Sequence, residues 1–405
     1  QTAVLAIAVS ESEAGICAIG PNKKNLLGYE MKIIQFDPDE RKFQKTFLEF
    51  PFKLYKNTPQ WVPPFRSDVR KVFSRSKHGF YEHGTARFFL AVDEKGKALG
   101  RLAVLDNFGY NEHFQTKTAI FSMFECIADF SVAKGLFEAG FNWAIGRGLN
   151  EMVGPKGFAV LDGFGTLIDG FEYQAAFGKV YNPPYYQEFL EKLGFEKKWD
   201  TFTGILDRSY RLPEKVGQIA ELVMKKRGLS IKRFNARKEM YAYIDYLQEL
   251  YNGSLANDSG NMPISDRDMQ TMVNQALKFA DPQLIKLIMK EEKPVGFLLA
   301  FPDIGKAMIR SRGRLLPFGW YHILRALKKT DTVDLDGAGI LPEYQRIGGT
   351  ALMYSEIYES VTSKANYQYA ELIQVRDNNP QMLLEWENMG IKPRKTHRSY
   401  RRDLP

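Results

Sequence analysis

Apolar and polar positions along this chain fall into two rhythms, and the order of those rhythms occurs twice. The stretch FFLAVDEKGKALGRLAVL (88–105) has β-rich runs on either side of a Glu-Lys-Gly turn and predicts a hairpin. The stretch LIKLIMKEEKPVGFLLAF (284–301) repeats that form, with Gly296 in the place that Gly100 holds in the first. Each half also closes alike. Asn182-Pro183 opens a predicted helix that ends at Gly194-Phe195 and precedes the strand FTGIL, while Asn379-Pro380 opens another that ends at Gly390-Ile391 and precedes HRSYRR. Gly100 to Gly194 and Gly296 to Gly390 both span 94 residues. An ordered recurrence of hairpin, helix, strand, helix and strand argues for duplication. In the second half, helical periodicity covers 240–255, 266–280 and 350–364, and strands are predicted at 332–340 and 370–375. Helices alternating with strands predict an α/β (α+β mixed) fold, each half a mixed sheet flanked by helices. The pattern breaks at DRSYRLP (207–213), which divides the chain into 31–210 and 211–405. Residues 1–30 read as an extension outside the fold, with Met31 the natural first residue; they lack the basic start of a secretory signal.

Composition narrows the class. Of 405 residues, 44% are hydrophobic and 26% charged, as in ordinary globular chains of two or more domains. No run approaches about 18 consecutive apolar residues, so no membrane-spanning helix is expected. Cys17 and Cys126 stand far apart and outside any C-x-x-C pattern, which fits a reducing, cytoplasmic setting and no metal site. The five histidines (His78, His83, His113, His322, His397) are not spaced as a helical metal pair, and no G-x-S-x-G nucleophile elbow occurs. The net charge of +8 favours anionic partners, whether phosphate-bearing small molecules, lipid surfaces or nucleic acid. No nucleic-acid-binding module is recognisable, so nucleic acid is not expected as a partner.

The sharpest chemical signal is LDGAGILPEYQRIGGTALMYSEI (335–357), which passes from an apolar strand through a glycine turn into an amphipathic helix. A pyrophosphate that must rest on bare backbone needs such a turn, because unpaired amides at a helix start face the anion. An ordinary strand-to-helix turn would use glycine as well. The residues Gln345-Arg346-Ile347-Gly348-Gly349-Thr350 resemble the Q/R-x-x-G-x-G/A signature of the GNAT superfamily of acyl-CoA N-acyltransferases, with Thr350 where Gly or Ala is usual. FPFKLYKNTPQWVPP (50–64), GPKGFAVLDGFGTLIDGF (154–171) and NPPYYQEFLEKLGF (182–195) resemble the bacterial ceramide synthase-like N-acyltransferases, which have a tandem GNAT layout with a degenerate first half. The first half here passes from FSMFECIAD into its helix with no glycine loop, so one acyl-CoA site per chain is expected.

The resemblance implies a tandem GNAT fold. It implies acyl-CoA or acetyl-CoA as co-substrate, no permanently bound cofactor, and transfer of the acyl group to a primary amine, a lipid-like amine included. The CoA-binding residues it implies are Gly339, Ile340, Gln345, Arg346, Ile347, Gly348, Gly349, Thr350, Ala351 and Asn379. Amides of 347–351 would hold the pyrophosphate, where a side chain on Gly348 would intrude, and the pantetheine arm would lie along Gly337–Ile340 like an added strand. Acetylation of a small amine or a protein N-terminus, and CoA binding without catalysis, are the competing readings.

Amide formation from a thioester needs a deprotonated amine. Asp334 and Asp336 lie two apart on one predicted strand face and are the candidate catalytic carboxylates, with Asp336 nearer the expected thioester; solvated or helix-capping aspartates would look the same. Trp386 stands where many GNAT enzymes place a tyrosine acid, and Tyr354 and Tyr358 read as packing residues. Asp162, Asp169, Tyr185 and Tyr186 lie in glycine- and aromatic-rich loops of the kind that line a cleft. The insertion 304–330 carries Lys306, Arg310, Arg312, Arg314, Arg325, Lys328 and Lys329 and no acidic residue, interleaved with Leu315, Leu316, Phe318, Trp320, Tyr321, Ile323 and Leu324. Basic residues beside a large apolar face predict peripheral contact with an anionic membrane, on its inner, cytoplasmic side. A helix covering the sheet is the plainer alternative.

Overall fold

A computed structural model describes residues 30–159, 162–255, 262–345, 347–364 and 366–405. The predicted extension, up to residue 29, and Arg346 of the glycine turn lie outside the described residues. In the first half the strands are β1 (Met31–Phe36), β2 (Gly84–Asp93), β3 (Ala98–Asn107), β4 (Thr118–Cys126), β5 (Glu151–Gly154), β6 (Thr166–Asp169) and β7 (Glu196–Asp207). Then follow β8 (Leu229–Arg233), β9 (Ile285–Lys290), β10 (Lys293–Pro302), β11 (Thr332–Ile340), β12 (Tyr369–Arg376) and β13 (Pro393–Asp403). Both predicted hairpins form, as β2–β3 and β9–β10. In the first, the Asp93 carboxylate accepts the amides of Lys95 and Lys97 and closes the turn.

The two halves join in a way that periodicity does not reveal. Strand order is β1-β2-β3-β4-β5-β13-β7-β12-β11-β10-β9-β8, with β6 also on β13, so the half-sheets fuse into one mixed sheet. The last strand of the chain, β13, pairs with β5 in the first half (Tyr400 opposite Gly154), and the first half's own β7 pairs with β12 of the second (Leu372 opposite Gly204). The halves thus exchange their closing strands, and β7 and β13 pair side by side at the centre. Tyr400 and Leu404 accordingly pack into the first half's core with Phe121, Leu136, Phe137 and Phe195. Each large side chain buried there contributes roughly 1.5–3 kcal/mol by leaving water, so the exchange binds the halves together through both cores.

Helices cover both faces. Helix Phe130–Gly146 lies on the first half, started by an Asp129 cap that accepts the Ser131 amide. Helices Glu214–Arg227, Ile244–Leu255 and Gly349–Thr362 surround the second-half core of Leu287, Phe297, Leu298, Val333 and Leu352. Trp386 is buried against β7, where Gly204 leaves the room: a Cβ on Gly204 would stand 2.9 Å from the indole. The insertion forms helices Gly305–Ser311 and Gly319–Lys329. These pack through Ile304, Met308 and Ile323 against Val62 and Phe65 of the first half.

Candidate functional site

The site is built where two neighbouring strands part. Strand β11 pairs with β10 along most of its length, but Gly337 faces Leu299 and Leu335 faces Ala300, which leaves Asp336 as the extra residue of a β-bulge. On its other edge β11 pairs in parallel with β12 only over Thr332–Leu335. Beyond that point β12 is itself irregular, with Gln374 at φ 55° and a register shift between Leu372 and Val375. Among the described residues no strand covers the β12-facing edge of residues 336–340. An exposed run of backbone N–H and C=O groups is a template for an extended ligand.

Past this edge the chain makes the glycine turn. Gln345 donates to the Ile340 carbonyl at 3.1 Å and ties the turn to the strand end, while Ile347 packs on the second-half core. Helix Gly349–Thr362 begins after Gly348 with no side-chain cap among the described residues, so the amides of its first turn, with Thr350 and Ala351 half-buried, are open to another partner. The structure supplies a packing reason for the glycines. A Cβ on Gly348, at φ +93°, would stand 2.4 Å from Cγ2 of Val223 on helix Glu214–Arg227, and one on Gly349 would stand 2.1 Å from Cδ1 of Ile340. Packing of Val223 at Gly348 and of Ile340 at Gly349 already requires both to be bare. Gly339 likewise makes room for Ser254 and Phe297, whereas a Cβ on Gly337 would meet only Phe297 at 3.9 Å. Asn379 caps helix Pro380–Asn388 by accepting the Met382 amide at 3.1 Å, and it also lines the cavity below.

Two cavities meet beneath the open edge. The first, about 350 Å³, is walled by apolar side chains of the second half, among them Phe234, Met240, Leu247, Met272, Leu277 and Phe297. The second, about 300 Å³, lies mainly in the first half. Asp162, Lys179 and Asp336 line both. Lys179 Nζ sits 2.6 Å from Asp336 Oδ1, an ionic contact too poorly aligned to count as a hydrogen bond. Asp162 is lifted above the usual carboxylate range by burial, against the Ala159 amide that it accepts.

Of the two candidate carboxylates only Asp336 faces this space. The bulge breaks the period of two, so that consecutive residues Leu335 and Asp336 both line the first cavity, and Asp334 lines neither. Asp334 is buried instead near Asp303 and Glu371, and desolvation followed by those like charges pushes its carboxyl well up. The same effects lift Asp303 to about 6, burial first, while Glu371 is ion-paired with Lys395. The shared-face expectation for Asp334 and Asp336 therefore does not place Asp334 at the cavity. Asp169 lines neither cavity, and Tyr186 lines the second.

Sequence reasoning missed Lys179, which has no motif around it, and undervalued Tyr354. The Tyr354 ring lines the first cavity and its hydroxyl donates to Glu385 at 2.8 Å. Burial and the Glu385 charge push that phenol well up, so it stays protonated. Trp386 lines the cavity too, with its Nε1 buried and unpartnered among the described residues.

No family model matches this chain. Among solved structures it is similar to a tandem GNAT protein from the clavulanic acid biosynthesis pathway, with a TM-score of 0.54 and 9% identity over 93% of this chain and 99% of that one. The fold is tandem GNAT. A GCN5-related glucosamine N-acetyltransferase region in a fungal multi-domain β-N-acetylglucosaminidase matches the tandem GNAT chain with a TM-score of 0.52 and 10% identity, over 95% of it and 38% of that protein. By sequence the chain is 25% identical to Bacterial ceramide synthase of Caulobacter vibrioides (strain NA1000 / CB15N), over 89% of this chain and 94% of that protein. It is also 25% identical to Protein YghO of Escherichia coli (strain K12), over 89% and 93%.

Proposed function

We propose that the chain is an acyl-CoA-dependent N-acyltransferase whose acceptor is a lipid-like primary amine, with the acyl-CoA site in the half 211–405. The observation that carries this reading is the bare edge of β11 past its bulge, leading from an uncapped helix start into an apolar cavity. The pantetheine arm adds to that edge, and the pyrophosphate rests on amides of 347–351, with Arg346 and Gln345 carried over from the signature. The thioester carbonyl then lies beside Asp336, and the acyl chain fills the first cavity. That cavity is large and apolar, which favours a long chain over acetyl.

The amine arrives from the second cavity, at the junction where Asp336 and Lys179 meet. Asp336, ion-paired with Lys179, attracts the incoming ammonium and takes up or relays its proton. The neutral nitrogen attacks the thioester carbon, the C–N bond forms, the C–S bond breaks with its electron pair on sulfur, and the second proton that the nitrogen sheds passes to that sulfur. A thiol is a far stronger acid than an amine N–H, with cysteine at about 8.5, so a thiolate leaves without a strong acid, and Trp386 in place of a tyrosine is no obstacle.

The exposed face of the insertion supports delivery at a membrane. Packing accounts for Ile323, but Leu316 and Phe318 are 76% and 70% exposed, and Trp320, Tyr321 and Leu324 are about half exposed beside Arg312, Arg314, Arg325, Lys328 and Lys329. No described helix is long and apolar enough to cross a membrane, and a peripheral contact with anionic lipid needs none. The test is thiol release from a panel of acyl-CoAs with an alkyl amine as acceptor. Long-chain acyl-CoA should exceed acetyl-CoA by at least about tenfold in kcat/KM, the scale of a few buried methylenes. A preference for acetyl-CoA with a soluble amine would replace the lipid reading by small-amine acetylation, and no turnover with any thioester would leave CoA binding alone.

A further inference from the structure

A shared wall separates the first cavity from a third one, of about 80 Å³: Leu335, Tyr354, Ile357 and Leu372 line both. The wall has two layers. Leu335 of β11 and Leu372 of β12 stand opposite one another at the last paired position of those strands, one residue before Asp336. Tyr354 and Ile357 lie three apart on helix Gly349–Thr362 and share one of its faces. Behind the wall the third cavity is largely apolar, lined by Leu206, Leu212, Tyr358, Val361 and Met389 among others.

Tyr354 is the pinned member of that wall. Its hydroxyl donates to Oε2 of Glu385 at 2.8 Å and stands 3.3 Å from Sδ of Met382, both on helix Pro380–Asn388. Swinging the ring aside would break a hydrogen bond to a carboxylate, which is among the stronger kinds. The wall also lies on the line of the donor. In the acyl-transfer reading the pantetheine arm runs along the β11 edge from Ile340 to Gly337 and brings the thioester beside Asp336. An acyl chain that keeps the direction of the arm passes Asp336, reaches Leu335, and meets this wall.

We propose that Tyr354 sets the longest acyl chain the site accepts, by closing the third cavity to the methyl end of that chain. This rests on the acyl-transfer reading and deepens it by naming the residue that fixes chain length. A pinned ring gives a sharp limit. Each methylene up to the ring gains burial, and the first one past it finds no room in packed side chains. The other branch of the first cavity, walled by Met240, Leu247 and Met272, receives the chain only if it turns away from the direction of the arm.

The experiment measures kcat/KM for a homologous series of saturated acyl-CoAs, medium to very long, with one alkyl amine as acceptor. The full chain is compared with its Tyr354→Ala, Tyr354→Leu and Met240→Ala variants. In the wild type kcat/KM should rise by about fourfold per added carbon, the worth of one buried methylene, and then break off at a definite length. Tyr354→Ala should move that break about two carbons or more further out. The chain two carbons past the wild-type limit should then gain about tenfold or more relative to the chain at the limit. Tyr354→Leu, which keeps an apolar side chain and guards against loss of the fold, should move the break the same way by less. Met240→Ala, in the other branch, should leave it in place. A break that stays put in both Tyr354 variants while transfer persists overturns the length assignment alone. So does a break that moves in Met240→Ala instead, because the chain then runs the other way. If no acyl-CoA supports transfer, the acyl-transfer reading falls, and this inference falls with it.

Discussion

Replacing Gly348 by alanine tests both the turn and the packing that holds it. The new Cβ would lie 2.4 Å from Val223 Cγ2 and 3.1 Å from Ile219 Cγ2, at a residue whose φ is +93°. The left-handed backbone disfavours an L side chain by about 1–2 kcal/mol. Forcing a methyl against a β-branched valine that cannot swing aside adds about 1–3 kcal/mol of overpacking. Gly348→Ala should therefore destabilise the chain by about 2–5 kcal/mol, read by chemical denaturation. It should also weaken CoA, because the first turn of helix Gly349–Thr362 must move away from helix Glu214–Arg227. The two contributions separate in a double-mutant cycle. Val223→Ala alone removes buried methyls and should cost roughly 1–3 kcal/mol. Combined with Gly348→Ala it removes the clashing atom, so the double variant should be more stable than the sum of the singles by about 1–3 kcal/mol, and CoA affinity should partly return. The backbone part is not rescued. Stability of Gly348→Ala within about 0.5 kcal/mol of wild type, or strict additivity with Val223→Ala, would refute the packing argument.

Asp336→Asn should lower turnover roughly 10²-fold or more while acyl-CoA affinity by calorimetry stays near wild type; an unchanged rate and pH profile would remove Asp336 from the mechanism. Replacing Arg312, Arg314 and Arg325 together by Glu should abolish flotation with anionic vesicles at low salt, since each basic residue near such a surface contributes about 1 kcal/mol. If the wild type itself ignores those vesicles, the membrane contact is wrong. Glu125 gives a stability prediction with a definite sign. Burial, opposed by Arg101 and the tyrosine hydroxyls, lifts its carboxyl from an ordinary 4.5 to about 7 in the folded chain. A raised carboxyl contributes its stability below the unfolded value and loses it as pH rises through the folded one. Glu125→Gln should accordingly gain on wild type between about pH 4.5 and pH 7, by on the order of 1–3 kcal/mol, and hold that gain above pH 7. Urea melts at pH 5 and pH 8 with the same difference between the two proteins would show that the carboxyl is not perturbed.

The glycine turn and the two hairpins were legible in the chain because their signals are local. A turn residue, a cap or a period of two is written within a few positions, and the hairpins 88–105 and 284–301 and the strand-to-helix passage at 340–350 all appear as read. The same letters do not state what fills the space beside Gly348. Glycine marks a place where a Cβ has no room, and sequence does not say whether a ligand or Val223 takes the room. The pairing of Asp334 with Asp336 failed for a related reason: a bulge is one unmatched residue set by the neighbouring strand, so the alternation that put both on one face is interrupted by β10.

By itself the sequence determined the elements, their recurring order and the glycine turn between the strand 332–340 and the helix that follows it. Only the tertiary structure decided that β13 enters the first half between β5 and β7, that Lys179 meets Asp336, and that Tyr185 and Tyr186 hydrogen-bond the backbone of Cys126 at the end of β4. The reason is physical. Element formation is governed by neighbours a few residues apart, and the apolar pattern of a strand states only that its faces are to be buried. Which strand lies beside it, and which distant charge faces it across the resulting cavity, follow from packing two whole halves against each other.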